Sequence, residues 1–168
     1  MAHVTIEYMI MVPVLILQIF LFPYVANVIM GAWENDRVDL QLEEIAANLG
    51  SSVQQLYYTM NRELISSGSL TIQLYTPSRI LCSWGEYRGD YSYTITIRNV
   101  TVDADFPRAQ IMNITVSLFV GEKQRTAFTL VTLGEIADWD DASYISDYVS
   151  VVKAARTPDS IWLSFEEG

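Results

Sequence analysis

Charge is missing from one long stretch of this 168-residue chain: between Glu7 and Glu34 there is no Asp, Glu, Lys or Arg. Cysteine and histidine are almost absent too, with Cys82 and His3 the single examples. One thiol cannot close an intrachain disulfide, and one thiol plus one imidazole cannot build a zinc site. A histidine-based triad has no members to recruit. No glycine-rich phosphate loop, G-x-S-x-G or H-E-x-x-H sequence occurs either. The expectation is a protein that is not an enzyme and holds no cofactor or metal. Basic residues are few, 10 Lys and Arg against 20 Asp and Glu. Nucleic-acid affinity comes mainly from Lys and Arg contacts to phosphate, so no nucleic-acid partner is expected. Charged residues make up 18% of the chain, below the usual share of about 25% for soluble domains. The shortfall is concentrated in one place, which excludes disorder, collagen and a plain soluble globule.

The uncharged run extends from Tyr8 to Trp33, with Gln18 and Asn27 its clearly polar members. As a helix it rises roughly 39 Å at about 1.5 Å per residue, enough to cross a hydrocarbon core of about 30 Å with some tilt. A cleaved secretory signal fits poorly. No basic segment precedes the run, the run exceeds the usual apolar region of about 7–15 residues, and no small-x-small cleavage site precedes Glu34. The run is therefore expected to be retained and inserted in a membrane.

After Trp33 the apolar residues narrow to one stripe. Val38, Leu42, Ile45, Leu49, Val53, Leu56, Met60 and Leu64 recur every three or four residues, while Asp36, Asp39, Glu43, Glu44, Arg62 and Glu63 lie mostly off that line. No proline separates the two parts, so one helix of about 60 residues is expected, apolar all round at first and amphipathic afterwards. Ser66, Ser67, Gly68 and Ser69 supply the stop.

Beyond Gly68 the period becomes two. Leu70, Ile72 and Leu74 alternate with polar residues, as do Tyr91, Tyr93, Ile95 and Ile97, and again Met112, Ile114, Val116, Leu118 and Val120. Arg125 to Leu133 forms a further strand, joined to the previous one through Gly121, Glu122 and Lys123, and Ile161 to Phe165 reads as the last. Such alternation predicts antiparallel sheet with one buried and one wet face. The stripe from Val38 to Leu64 is the available cover for the buried face. The segment 143–156 fits either a helix, through Ile145, Tyr148, Val149 and Val152, or a Val-rich strand. The fold class is thus α+β, with a long N-terminal helix packed on a C-terminal antiparallel sheet. Residues 1–66 form the helix (8–33 apolar, 34–66 amphipathic) and 67–168 a β-rich outer domain.

This build, together with Ala2, His3, Val4, Thr5, Ile6, Glu7 and Tyr8 ahead of the apolar run, resembles an archaeal type IV pilin with a class III signal peptide. The segment from Glu7 to Pro13 is also similar to the start of tight-adherence pseudopilins, with an acidic residue and a proline six positions later. Pro23 resembles the helix-interrupting proline of bacterial pilins. The resemblance implies cleavage between Ala2 and His3 by a prepilin peptidase, with Glu7 five residues into the mature chain. It also implies membrane insertion followed by assembly, with pilus machinery, into a helical homopolymer at the cell surface. Glu7, Pro13 and Pro23 are the subunit-assembly residues it implies. A minor pilin, a pseudopilin, or a single-pass anchor presenting a ligand-binding β-domain is the alternative.

Elementary physics bears on those residues independently. A carboxylate costs about 2.5–3.5 kcal/mol at mid-bilayer and less near an interface, so Glu7 reads either as a boundary marker or as half of an ion pair. In a packed bundle its nearest cation would be the freed α-amine of a neighbouring subunit. Pro13 and Pro23 each remove an amide donor and read as simple kinks or as bends that aid helix packing. Asn99-Val100-Thr101 and Asn113-Ile114-Thr115 are N-glycosylation sequons in the β-domain, which makes Asn99 and Asn113 candidate glycan sites. Glu135, Asp138, Asp140 and Asp141 lack calcium-loop spacing and read as a solvated acidic loop. Trp84, Tyr87, Tyr91, Trp139 and Tyr144 read as core, or as an adhesive or subunit-contact surface.

Overall fold

The structure, a computed structural model, describes the backbone of residues 2–84, 87–100, 109–149 and 151–166, and the side chains of 9–83, 87–100, 110–149 and 151–166. A single helix, α1 (Ala2–Met60), contributes to two compact units, Met1–Arg37 and Val38–Gly168. In the first unit α1 is apolar on every side from Met9 to Trp33. In the second, Val38, Leu42, Ile45, Leu49, Val53, Leu56 and Met60 are all buried, as their spacing predicts. The stripe stops there. α1 ends at Met60 rather than at 66, and Leu64 is 97% exposed. Arg156 accounts for the early stop: its Nη1 donates to the carbonyl oxygens of Met60 and Arg62, so a cation closes the helix at the end that carries unpaired carbonyls.

The remaining elements are β1 (Gly68–Gln73), β2 (Arg79–Trp84), β3 (Tyr87–Val100), β4 (Ala109–Val120), β5 (Lys123–Gly134), β6 (Ala137–Asp138), β7 (Ala142–Ile145), β8 (Val151–Arg156) and β9 (Ile161–Glu166). They form two sheets rather than one, in the orders β1-β8-β9-β6 and β2-β3-β4-β5, with β7 on β3. All pairings are antiparallel except β6 with β9. The ambiguous segment 143–156 resolves as strand, 3-10 turn (Ser146–Tyr148) and strand. The turn has a clear cause. β2 and β7 share one edge of β3, and between them the Tyr93 N–H donates to Ser146 Oγ at 3.0 Å. Ser146 Oγ in turn donates to the Ser78 carbonyl at 2.5 Å, so a buried hydroxyl bridges the break in the ladder.

Alternation places Tyr93, Ile95 and Ile97 of β3 and Met112, Ile114, Val116, Leu118 and Val120 of β4 inside, as expected. β1 departs from the expectation: Leu70 is 36% exposed, and of its three apolar residues only Leu74, just past the strand, is buried. The buried residues of both sheets and of α1 make one continuous core. Tyr144 of β7 and Phe165 of β9 join the sheets, with ring centroids 5.9 Å apart.

Residues 38–60 lie along β5 in the same direction. Arg125 Nη1 meets Asp39 Oδ2 at 3.1 Å near the start of β5. Further along, Gly50 approaches so closely that a Cβ there would sit 3.0 Å from Thr129 Cγ2. At the far end Tyr57 rests on Gly134. The β4–β5 turn needs its glycine. Gly121 has φ +60°, and a Cβ would press on the Tyr87 ring.

Candidate functional site

The uncovered half of α1 is the feature that asks for a partner. Its most apolar 18-residue window has a mean hydropathy of 2.3, and none of that window is buried. Met9, Ile19, Phe20, Phe22 and Trp33 are each about two-thirds exposed or more. Large apolar surface without a cover marks a membrane or protein interaction surface. The helix is long and apolar enough to cross a bilayer.

Pro13 and Pro23 both lie within the helix and neither ends it. Each borders an open apolar groove. One is lined by Leu15, Gln18, Ile19, Leu21, Phe22, Pro23 and Val25, the other by Pro13, Ile16, Leu17, Phe20, Leu21 and Tyr24. At about 100° per residue these grooves fall on opposite sides of the helix. Gln18 and Asn27 are exposed, and neither makes a hydrogen bond among the described residues. The backbone of Ala2, His3 and Glu7 belongs to α1; their side chains, which the processing and ion-pair expectations concern, lie outside the described residues.

After the apolar run the sequence turns acidic, with Glu34, Asp36, Asp39, Glu43 and Glu44 against one basic residue, Arg37, between 34 and 44. Composition thus changes abruptly from uncharged to strongly acidic within the same helix.

The sequons differ in setting. Asn99 is exposed near the end of β3, and its backbone N–H donates to Asp141 Oδ1 at 2.7 Å. Thr101 of that sequon lies outside the described residues. Asn113 is half-buried on the outward face of β4, where Thr115 Oγ1 donates to its Oδ1 at 3.4 Å. Among the described residues no acidic, histidine or cysteine group is arranged to hold a metal ion. Asp138 and Asp141 instead accept backbone N–H groups. Of the aromatics, Trp139 is buried, Tyr91 and Tyr144 pack on the core and Tyr87 is 45% exposed. The Trp84 side chain lies outside the described residues. Cys82 is fully buried, and burial pushes its thiol up from its ordinary value, away from the reactive thiolate.

One surface escaped the sequence reading. Phe119, Phe128 and Leu130 are more than half exposed on the outward side of β4 and β5, beside Thr94, Thr96, Thr115 and Thr126. Its signal was present: Phe128 and Leu130 occupy the polar phase of a strand whose buried phase is Ala127, Val131 and Leu133. Comparison of the chain with models of protein families, with curated proteins and with solved structures finds no match.

Proposed function

We propose that the chain is the structural subunit of an archaeal type IV pilus-like filament. It inserts in the cytoplasmic membrane through the apolar half of α1 and is cut between Ala2 and His3 by a prepilin peptidase. Pilus machinery then polymerises it into a helical homopolymer that displays the β-domain at the cell surface. The observation that carries this reading is the apolar sleeve from Met9 to Trp33, left entirely uncovered by a helix whose next turns close a folded core. A soluble fate would expose that sleeve to water, whereas many packed copies cover it on all sides. Glycans on Asn99 or Asn113 would then decorate the outer surface.

Glu7 provides the test. In a bundle its carboxylate pairs with the α-amine of a neighbouring subunit, and losing one partner of a buried pair costs roughly 3–5 kcal/mol. Glu7→Gln should therefore reach the membrane at wild-type levels yet yield far less sheared filament, measured as the ratio of pelleted filament to membrane-bound subunit. Equal ratios would discard the ion pair. Subunit found only as a detergent-soluble monomer, in cells that carry filaments, would favour a minor pilin or a single-pass anchor.

A further inference from the structure

The bare half of α1 carries two seams with the same repeat. Leu15, Gln18, Phe22 and Val25 follow one another at intervals of three and four, and so do Leu17, Phe20, Tyr24, Asn27 and Gly31. Each is a heptad-type seam. The first lines one open groove, Leu17, Phe20 and Tyr24 of the second line the other, and at about 100° per residue Asn27 and Gly31 continue the second on the opposite side of the helix. A helix with one such seam forms closed pairs. A helix with two different, opposed seams joins head to tail, and such contacts propagate instead of closing.

Each seam holds one amide that has no hydrogen-bond partner among the described residues, Gln18 on the first and Asn27 on the second. In a water-poor environment such groups seek hydrogen bonds across helices. They are nine residues apart in sequence, about two and a half turns or 13.5 Å along the axis. We infer that parallel copies of this chain pack seam against seam with a nine-residue stagger, Gln18 of one copy hydrogen-bonding to Asn27 of the next. The inference rests on the polymerisation reading and specifies its contact.

The same stagger fixes the other pairs along the seams, and at their far end it sets Val25 opposite Glu34, the first charge after the apolar run. Leu15 falls opposite Tyr24. Phe22, 77% exposed, falls opposite Gly31, where a Cβ would meet nothing within 4 Å among the described residues. A large side chain therefore faces the one position on the opposing seam that has none, as close helix packing favours. Unstaggered packing would instead set Gln18 against apolar neighbours and leave both amides unpaired.

Cysteine cross-linking in membranes and in sheared filaments of the full chain tests this. Cys82 is buried and does not compete. Each subunit of the double variant Gln18→Cys/Asn27→Cys carries both halves of the contact, so a membrane-permeant oxidant should give a ladder extending beyond dimer. Either single variant should stay monomeric on denaturing gels, and the two single variants co-expressed should stop at dimer. Gly31→Leu in the double-cysteine background should abolish the ladder while membrane level and β-domain folding stay unchanged. Dimers from a single variant alone would overturn the stagger in favour of level packing. Filaments that form without cross-links, or a ladder that survives Gly31→Leu, would also overturn it. Absence of both cross-links and filaments, with the bare helix facing lipid alone, would remove the polymerisation reading as well.

Discussion

Leu17 and Leu49 are the same residue in the same helix, yet the first is 61% exposed and the second fully buried. The backbone does not distinguish them, since α1 is continuous from Ala2 to Met60. What differs is the angular spread of their apolar neighbours. From Val38 to Met60 the apolar residues keep to one line, and that line closes on β5 and the core. From Met9 to Trp33 they surround the helix, and none of the apolar window is buried among the described residues. A stripe specifies an intramolecular fit, whereas a sleeve specifies an environment.

The sharpest way to break this contrast is to remove each half in turn. A chain beginning at Asp36 should be soluble and cooperatively folded, because every buried stripe residue from Val38 onward is retained. One beginning at Gly68 should aggregate. It lacks seven buried apolar side chains of the stripe, each contributing roughly 1.5–3 kcal/mol, a loss as large as the whole of a typical domain stability of about 5–15 kcal/mol. Denaturant melts and size-exclusion profiles of the two decide it, and a well-folded chain from Gly68 would refute the packing.

At single-residue scale, Leu49→Ala should destabilise the β-domain by about 2–5 kcal/mol. Leu17→Ala should leave its unfolding midpoint unchanged. The pair is compared by urea unfolding monitored through tryptophan fluorescence. A smaller effect is expected at the helix end. Arg156→Met keeps the unbranched stem of the side chain but takes the donor from the Met60 and Arg62 carbonyls, at a cost of about 1–3 kcal/mol. Amide hydrogen exchange of the last helical turn should report it first.

The mildest effect carries a pH dependence at the alkaline end. Burial, more than any other influence, pushes the Tyr93 hydroxyl above its ordinary value, and that hydroxyl donates to the Pro77 carbonyl at 2.7 Å. A raised folded value means that the stabilising, protonated form is fully present below about pH 10, and its contribution is lost as pH rises through the folded value. Tyr57 and Tyr144 shift in the same direction, also chiefly through burial. Tyr93→Phe should therefore cost about 0.5–1.5 kcal/mol at neutral pH and lessen, without removing, the fall of the melting temperature above pH 10. An unchanged alkaline slope would acquit Tyr93.

Local periodicity carried most of what the sequence could tell. The stripe to Met60, the inward faces of β3 and β4, and the last strand were legible because each side chain's environment follows from its own neighbours in the chain. Leu64 fits the helical spacing, but the helix ends before it because Arg156, nearly a hundred residues away, supplies the cap. β2 was missed because Arg79–Trp84 does not alternate cleanly, and its place is set by β3. The division into two sheets was equally hidden, since it depends on which distant strands pair. At the candidate site, composition pointed to the uncovered sleeve. The opposed grooves at Pro13 and Pro23 emerged once the helix was seen to run through both prolines unbroken.

The alignment of residues 38–60 with β5 has a mechanical consequence. Contacts at Asp39, Gly50 and Tyr57 are spread along one line, so tension applied along the helix axis loads them together in shear. No single contact at the end is peeled first. A domain hung from its helix in this way resists pulling with its whole interface, while a load applied across the helix would open the same contacts one at a time.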